Sequence, residues 1–323
     1  MAKAIGLLSG GLDSILAIKM ILEQDIEVIG VCFTSPFFDN SKYAKSITAK
    51  LGIELRVINF GTDYIEIVKN PKYGYGKNFN PCIDCHTYML RQAKKLMEEI
   101  KADFVFTGEV LNERPMSQNR QALQNIERDA GLIGKLLRPL STQLLEPTIP
   151  ETTGIIDRWK LGSISGRSRK PQIELAKKYG ITDFPQPAGG CLLTDETFSK
   201  RLKDAFDHKE DSINDLELLK IGRHFRASDN ESAKIVVGRN EQENKRLNEL
   251  ANDTDLILLP IEIAGPTVLV RNYKDKNIVL PIAAGLCARY CDKGINKLVK
   301  VTVNGIIIET ESLDESLINK LRI

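Results

Sequence analysis

Short, continuous apolar runs alternate with amphipathic stretches along the first hundred residues. Ala4–Leu8, Glu27–Phe33 and Glu54–Asn59 have the length and apolar or β-branched content of strands. Between them, Asp13–Glu23 carries Leu16, Ile18, Met20, Ile21 and Leu22 densely enough for a buried helix. Asn40–Leu51 reads as a second helix, closed by Gly52 in a C-cap position. Ile83–Ile100 is a long amphipathic helix with Leu90, Ala93, Leu96, Met97 and Ile100 on one side, and Asp103–Thr107 is a fourth strand. This βαβα rhythm predicts an α/β fold, a doubly wound parallel sheet covered by helices on both faces. Ligands of such sheets sit at the carboxyl ends of the strands.

The pattern changes further on. Residues 204–217 are acidic and polar and read as a linker helix. From Ile221 the chain becomes strand-rich, with runs at Lys234–Val237, Asp255–Leu259, Thr267–Val270, Ile278–Pro281 and Leu298–Ile308. We therefore expect a boundary near residue 212, with domains at 1–212 and 213–323, the second a smaller α+β module.

Lys and Arg total 45 against 43 Asp and Glu, a net charge of +2 in 323 residues, of which 42% are hydrophobic. That composition excludes wholesale disorder. The near-balance of charge leaves any nucleic-acid partner to local clustering. Such a cluster exists at residues 158–178, which hold seven basic residues and the single acid Glu174. Met1 to Leu8 runs directly into Ser9-Gly10-Gly11, so no signal peptide is expected. The run from Leu256 to Gly265 contains Pro260 and Glu262 and is too short to span a bilayer. A cytoplasmic protein with no membrane partner is expected. Its six cysteines should then be ligands or reactive thiols rather than bridges.

Two motifs carry chemistry. The first is Leu8-Ser9-Gly10-Gly11-Leu12-Asp13-Ser14, between the first strand and first helix. Paired glycines bring the backbone close to a ligand. The helix that follows points its N–H groups and positive end at the same spot, which suits phosphate. Ser9 and Ser14 add hydroxyls, and Asp13 among such donors reads as a carboxylate for Mg²⁺. A bland alternative is a Gly-rich turn with a capping Asp. No Gly-Lys-Ser/Thr follows, so this is not a Walker A loop.

The second motif is Asn80-Pro81-Cys82-Ile83-Asp84-Cys85-His86, with Cys191 far along the chain after Gly189-Gly190. A C-x-x-C at a helix start brings two sulfurs to one side, where the helix end is expected to lower their pKa. Three thiolates suit a [4Fe–4S] cluster with one open iron better than closed zinc, which takes four ligands. His86 could complete a Cys₃His zinc site, and Cys191 with Cys82 or Cys85 could instead form a redox pair carrying a persulfide. Cys32 lies in an apolar run and reads as core, and Cys287 and Cys291 as packing residues.

The Ser9–Ser14 segment resembles the SGGxDS signature of the PP-loop ATP pyrophosphatases. Thr107-Gly108-Glu109, Ser117-Gln118 and Arg138-Pro139-Leu140 follow in an order that resembles the 4-thiouridine synthetases. Asn80-Pro81-Cys82-x-x-Cys85 and Cys191 resemble the tRNA 2-thiouridylases and the three-cysteine iron–sulfur thiolases. The resemblance covers roughly residues 1–200. The N-terminal RNA-binding domain of the usual 4-thiouridine synthetases is not expected here, because the loop begins at Ser9. Ile221-Gly222-Arg223-His224-Phe225-Arg226 and Lys234 to Asn244 are similar to the NFACT-R family of RNA-binding domains.

The resemblance implies an ATP-dependent tRNA sulfurtransferase. Ser9, Gly10, Gly11 and Ser14 would hold the pyrophosphate of ATP and Asp13 the Mg²⁺. Phe33, Thr107, Gly108 and Glu109 would contact the adenosine. A uridine carbonyl oxygen would be adenylated and then replaced by sulfur. That sulfur would come from sulfide on a cluster held by Cys82, Cys85 and Cys191, or from a Cys191 persulfide. The tRNA backbone would meet Arg158, Lys160, Arg167, Arg169 and Lys170, with Arg114 and Arg138 nearer the cleft. In the C-terminal module, Arg223, His224, Arg226, Lys234 and Arg239 would contact phosphates and Phe225 a base. A sulfide or persulfide donor is then a partner, and a homodimer is the assembly to consider. Two readings from other classes stand beside this one: a small-molecule amide ligase and a non-catalytic RNA-binding protein.

Overall fold

The computed structural model describes residues 1–184, 191–227, 232–292 and 298–323. Gly189-Gly190 lies outside the described residues. The chain forms two compact units, Met1–Asp195 and Glu196–Ile323.

In the first unit, β1 (Lys3–Leu7), α1 (Leu12–Leu22), β2 (Glu27–Ser35), β3 (Phe38–Asp39), α2 (Ser41–Leu51) and β4 (Glu54–Asn59) come first. They are followed by α3 (Thr62–Lys69), α4 (Cys82–Glu99), β5 (Phe104–Phe106), α5 (Arg120–Ala130), β6 (Leu136–Leu137), α6 (Ile149–Thr152) and α7 (Lys170–Lys178). Five strands pair in parallel in the spatial order β4-β2-β1-β5-β6, while β3 folds back antiparallel on the end of β2. The chain winds outward from β1 through β2 to β4, then returns to place β5 on the other side of β1. That reversal opens a crevice beyond the carboxyl ends of β1 and β5. Alternate residues of each strand serve opposite faces. Ala4, Leu8, Val28, Cys32, Phe104 and Phe106 join a buried cluster with α1, α2 and α7. Phe33 packs toward Phe60, Tyr64 and Tyr88 on the side of α3 and α4. The doubly wound parallel sheet expected from the sequence is present.

The second unit holds α8 (Glu196–Asp207), α9 (Ile213–Leu218), β7 (Arg223–Arg226), β8 (Lys234–Val237), α10 (Glu241–Leu250), β9 (Leu256–Pro260), β10 (Val268–Arg271), α11 (Lys276–Arg289), β11 (Val299–Val303), β12 (Ile306–Thr310) and α12 (Glu315–Leu321). Its strands form an antiparallel sheet in the order β12-β11-β9-β10-β8-β7. Helices α11 and α12 pack into one core cluster and α9 and α10 into another.

Two expectations are corrected. The division falls after Asp195, not near residue 212, because α8 is tied into the second unit. Asp204 pairs with Arg226 of β7, and Arg201 Nη1 donates to the Leu219 carbonyl at 3.1 Å. Ile278–Pro281 is helical, within α11, where Asp275 caps the start by accepting from the Asn277 amide at 2.8 Å. The run Leu298–Ile308 is β-structure as expected, resolved into a hairpin with Asn304 and Gly305 both at positive φ in its turn. Among the described residues no helix is long and apolar enough to cross a membrane.

Candidate active site

The loop from Ser9 to Ser14 sits at the crevice where the sheet order reverses. Gly10 has φ +81°, and a Cβ there would lie 2.7 Å from the Tyr43 ring, so only glycine fits. The Gly11 amide donates to Ser9 Oγ at 3.3 Å, and Ser14 Oγ donates to the Gly11 carbonyl at 2.8 Å. α1 starts from Gly11 with no side chain capping it, so its first amides face the crevice. Across the crevice, Gly108 lies against this turn. A Cβ at Gly108 would come within 2.5 Å of the Ser14 nitrogen. The structure thus brings the Ser-Gly-Gly loop and the Thr107–Glu109 segment into direct contact.

Asp13 faces a set of charged groups that sequence reasoning only partly found. Burial raises its pKa, against the lowering influence of the Arg169 and Arg114 guanidiniums and the Gln172 amide. Glu113 is raised by burial and by the Asp13 charge. Asp13 Oδ1 is buried without a hydrogen-bond partner among the described residues. Two neighbouring carboxylates with an unpartnered buried oxygen fit Mg²⁺, which is held by one or two carboxylates and by substrate phosphates. Glu113 and the fully buried Gln172, whose Nε2 lies 3.5 Å from Glu113 Oε2, carry no local motif and were missed.

The Glu109 side chain is bound inside the protein. Its carboxylate is buried and accepts from Thr107 Oγ1 at 3.0 Å and from Arg138 Nε at 3.1 Å, and it lies 2.8 Å from His86 Nδ1. Burial opposes ionisation, but these donors outweigh it and hold the carboxyl at about 2. Arg138 is 4% exposed and also pairs with Glu127 at 3.2 Å, so it is not available to a tRNA backbone. His86 is held through Nδ1 by Glu109. The Phe33 ring is buried against Phe60, 5.1 Å between centroids.

The three cysteines converge. Cys82 and Cys85 open α4, as expected. Cys191 is brought to them by the Leu192 amide donating to the Phe37 carbonyl at 3.1 Å and by Asn78 Nδ2 donating to the Thr194 carbonyl at 2.9 Å. Cys82 and Cys191 both lie near enough to Cys85 to raise its pKa. Helix position was expected to lower the thiol pKa values, but burial dominates. It pushes Cys85 up to about 12 and Cys191 to about 11, and it raises Cys82 against the opposing Arg114 charge. Tyr64, fully buried, donates its hydroxyl to Cys85 Sγ at 3.0 Å, a partner the sequence did not flag. Among the described residues no three His, Cys, Asp or Glu side chains are gathered closely enough to hold a metal ion. Burial keeps all three sulfurs protonated, so a metal or cluster bound there would have to displace their protons. Arg114, exposed, acts on both Asp13 and Cys82 and so links the two halves of the site.

Other candidates have structural duties. Arg158 donates to Glu151 Oε1 at 2.6 Å and to the Leu145 carbonyl at 2.7 Å. In the second unit, Phe225 and His224 are buried, Lys234 pairs with Glu210 at 2.5 Å in the interior, Arg226 is held by Asp204 and Glu210, and Arg239 is held by Glu243. Burial raises the Cys32 thiol to about 11 inside β2, and Cys287 and Cys291 are buried in the second core. Those three are packing residues.

Residues 2–130 match the tRNA methyl transferase HUP domain family, and residues 222–317 match the NFACT protein RNA binding domain family. The chain resembles the PP-loop tRNA thiouridine synthetases. It is 25% identical over 237 residues to the tRNA-specific 2-thiouridylase MnmA of Proteus mirabilis (strain HI4320), covering 69% of this chain and 62% of that protein. It is 32% identical over 230 residues to the tRNA-specific 2-thiouridylase MnmA of Symbiobacterium thermophilum (strain DSM 24528 / JCM 14929 / IAM 14863 / T), covering 61% and 54%. A solved 4-thiouridine synthetase–RNA complex with bound ATP is 21% identical, with a TM-score of 0.36, covering 57% of this chain and 54% of that one. The chain therefore spans between half and two thirds of the length of these relatives.

Proposed function

We propose that the chain is an ATP-dependent tRNA sulfurtransferase that makes a thiouridine. The observation that carries this reading is the junction at residues 108 and 109: Gly108 lies against the Ser14 backbone of the phosphate loop, and Glu109 lies 2.8 Å from His86 near the start of the cysteine helix. In the proposed reaction, the amides of Gly11 to Ser14 and the Ser9 and Ser14 hydroxyls bind the pyrophosphate of ATP. Asp13 and Glu113 would hold Mg²⁺, which supplies charge neutralisation on the leaving pyrophosphate. A uridine carbonyl oxygen attacks the α-phosphorus, the bond to pyrophosphate breaks, and the base is left adenylated. The target base must be outside its stack to reach this chemistry.

The sulfur step is assigned to a persulfide on Cys191, with Cys82 and Cys85 close enough to resolve it. Its terminal sulfur bonds to the adenylated carbon and AMP leaves. Cys82 or Cys85 then attacks the Cys191 sulfur, releasing the thiolated base and leaving a disulfide. A persulfide donor and a dithiol reductant restore the start. Cys82 is the less enclosed of the two resolving candidates, and Arg114 favours its thiolate.

The test is nucleoside mass spectrometry of tRNA incubated with protein, ATP and a persulfide donor, alongside pyrophosphate release. Cys191→Ser should retain tRNA-dependent pyrophosphate release and lose the thionucleoside. Retained thiolation in that variant would end the persulfide assignment. Absent pyrophosphate release in the unaltered protein would end the whole reading.

A further inference from the structure

The single tryptophan of the chain, Trp159, is 80% exposed. A large aromatic ring left in water on a rigid turn, with the exposed Lys160 next to it in the chain, has the composition of a nucleic-acid-binding surface. The turn is anchored from three sides. The Trp159 amide donates to Asp157 Oδ1 at 3.0 Å. The Asp157 amide donates to Gln24 Oε1 at 2.7 Å, and Gln24 Nε2 donates back to the Asp157 carbonyl at 3.3 Å. Gln143 Nε2 donates to the Leu161 carbonyl at 2.6 Å. The backbone is thus fixed while the ring is offered to solvent, beside a cavity of about 310 Å³.

The position of this turn is set by α1. That helix leaves the phosphate loop and ends near Gln24, at the amino ends of the strands. Helix α7 runs alongside it. It begins after Arg169, which acts on Asp13, and its last turn is held where Tyr179 Oη donates to Glu23 Oε2 at 2.8 Å. Glu23 and Gln24 therefore dock the end of α7 and the tryptophan turn side by side. Lys170, Lys177, Lys178 and, beside the ring, Lys160 are exposed along this path. The nine residues of α7 span about 13 Å.

We propose that Trp159 is a base-stacking platform for an unpaired nucleotide of the tRNA, whose backbone tracks the lysines of α7 from the cleft. This rests on the tRNA reading above and deepens it. Charge selects the partner: exposed lysines beside an exposed ring fit a phosphate backbone carrying unstacked bases, the arrangement that binds single-stranded nucleic acid.

Trp159 is also its own reporter. Titrating the full chain with an unmodified tRNA transcript should quench its fluorescence as a base stacks on the ring. Trp159→Ala should weaken tRNA binding about tenfold or more, in line with the loss of one stacked base. Because the ring is uncharged, the slope of log affinity against log salt should not change. Lys177→Glu with Lys178→Glu should flatten that slope. ATP binding without tRNA should be unaffected in all variants. If tRNA binds without quenching, or Trp159→Ala binds as tightly as the unaltered chain, the platform is overturned while the sulfurtransferase reading stands. If tRNA does not bind at all, both fall.

Discussion

At the level of single residues, the site is defined by what burial does to charge. Asp13 is a carboxylate whose burial works against ionisation, with one oxygen unpartnered and a second acid, Glu113, beside it. A cation resolves that conflict, and this is why the position suits Mg²⁺. Asp13→Asn keeps the shape and removes the charge. It should lower tRNA-dependent pyrophosphate release about a hundredfold or more, the scale of losing one electrostatic contact to developing charge. Its melting temperature should stay at or above that of the unaltered chain, because a half-buried like-charge conflict has been relieved. Unchanged pyrophosphate release would remove Asp13 from the mechanism. Glu109 shows the opposite balance: it is more deeply buried, but Arg138, Thr107 and His86 hold it ionised. Its interior network positions the loop, which the sequence alone could not separate from a contact with adenosine.

Among the elements, legibility followed the range of the interactions. The strand–loop–helix unit from β1 to α1 is written in local pattern: an apolar run, two glycines, then a dense apolar helix. The cysteines at the start of α4 were readable in the same way. Tyr64, Gln172 and Glu113 were not, because each reaches its partner only through the tertiary fold. The error in the second unit has a local cause. Ile278–Pro281 is too short an apolar run to distinguish strand from helix, and Pro281 lies inside α11, where burial of Val279, Ala283, Ala284 and Leu286 in the core overrides its helix-breaking tendency. Asn304-Gly305 is the turn pair that hairpins favour, and it divides the β-type run at Leu298–Ile308 into β11 and β12. Gly108 gives this scale its test. Gly108→Ala would drive a methyl into the Ser14 backbone, so either β5 or the start of α1 must move. We expect a loss of about 1–3 kcal/mol in stability, as for overpacking elsewhere, together with a raised KM for ATP. A variant with native stability and native KM would show that the two loops need not touch.

For the whole molecule, the two units share an electrostatic design that predicts their response to acid. Each encloses a glutamate held at about 2: Glu109 by His86 and Arg138, and Glu210 by Arg226 and Lys234. Both folded values lie below the unfolded glutamate range, so each carboxylate contributes stability that is fully present above about pH 4.5. That contribution is lost as pH falls through the folded value near 2. Thermal stability followed by calorimetry should therefore fall steeply below about pH 4.5. The contributions can be separated by removing one charge at a time. Glu210→Gln leaves Lys234, 1% exposed, without its carboxylate, and should cost about 3–5 kcal/mol at neutral pH, the penalty of breaking a buried pair from one side. The transition of the second unit should then lose most of its dependence on pH between about 4.5 and 2, because the group that titrates there is gone. Glu109→Gln should do the same for the first unit and leave the second unchanged. Should either variant keep the full acid dependence of its own unit, the charge holding that unit together lies on a different pair.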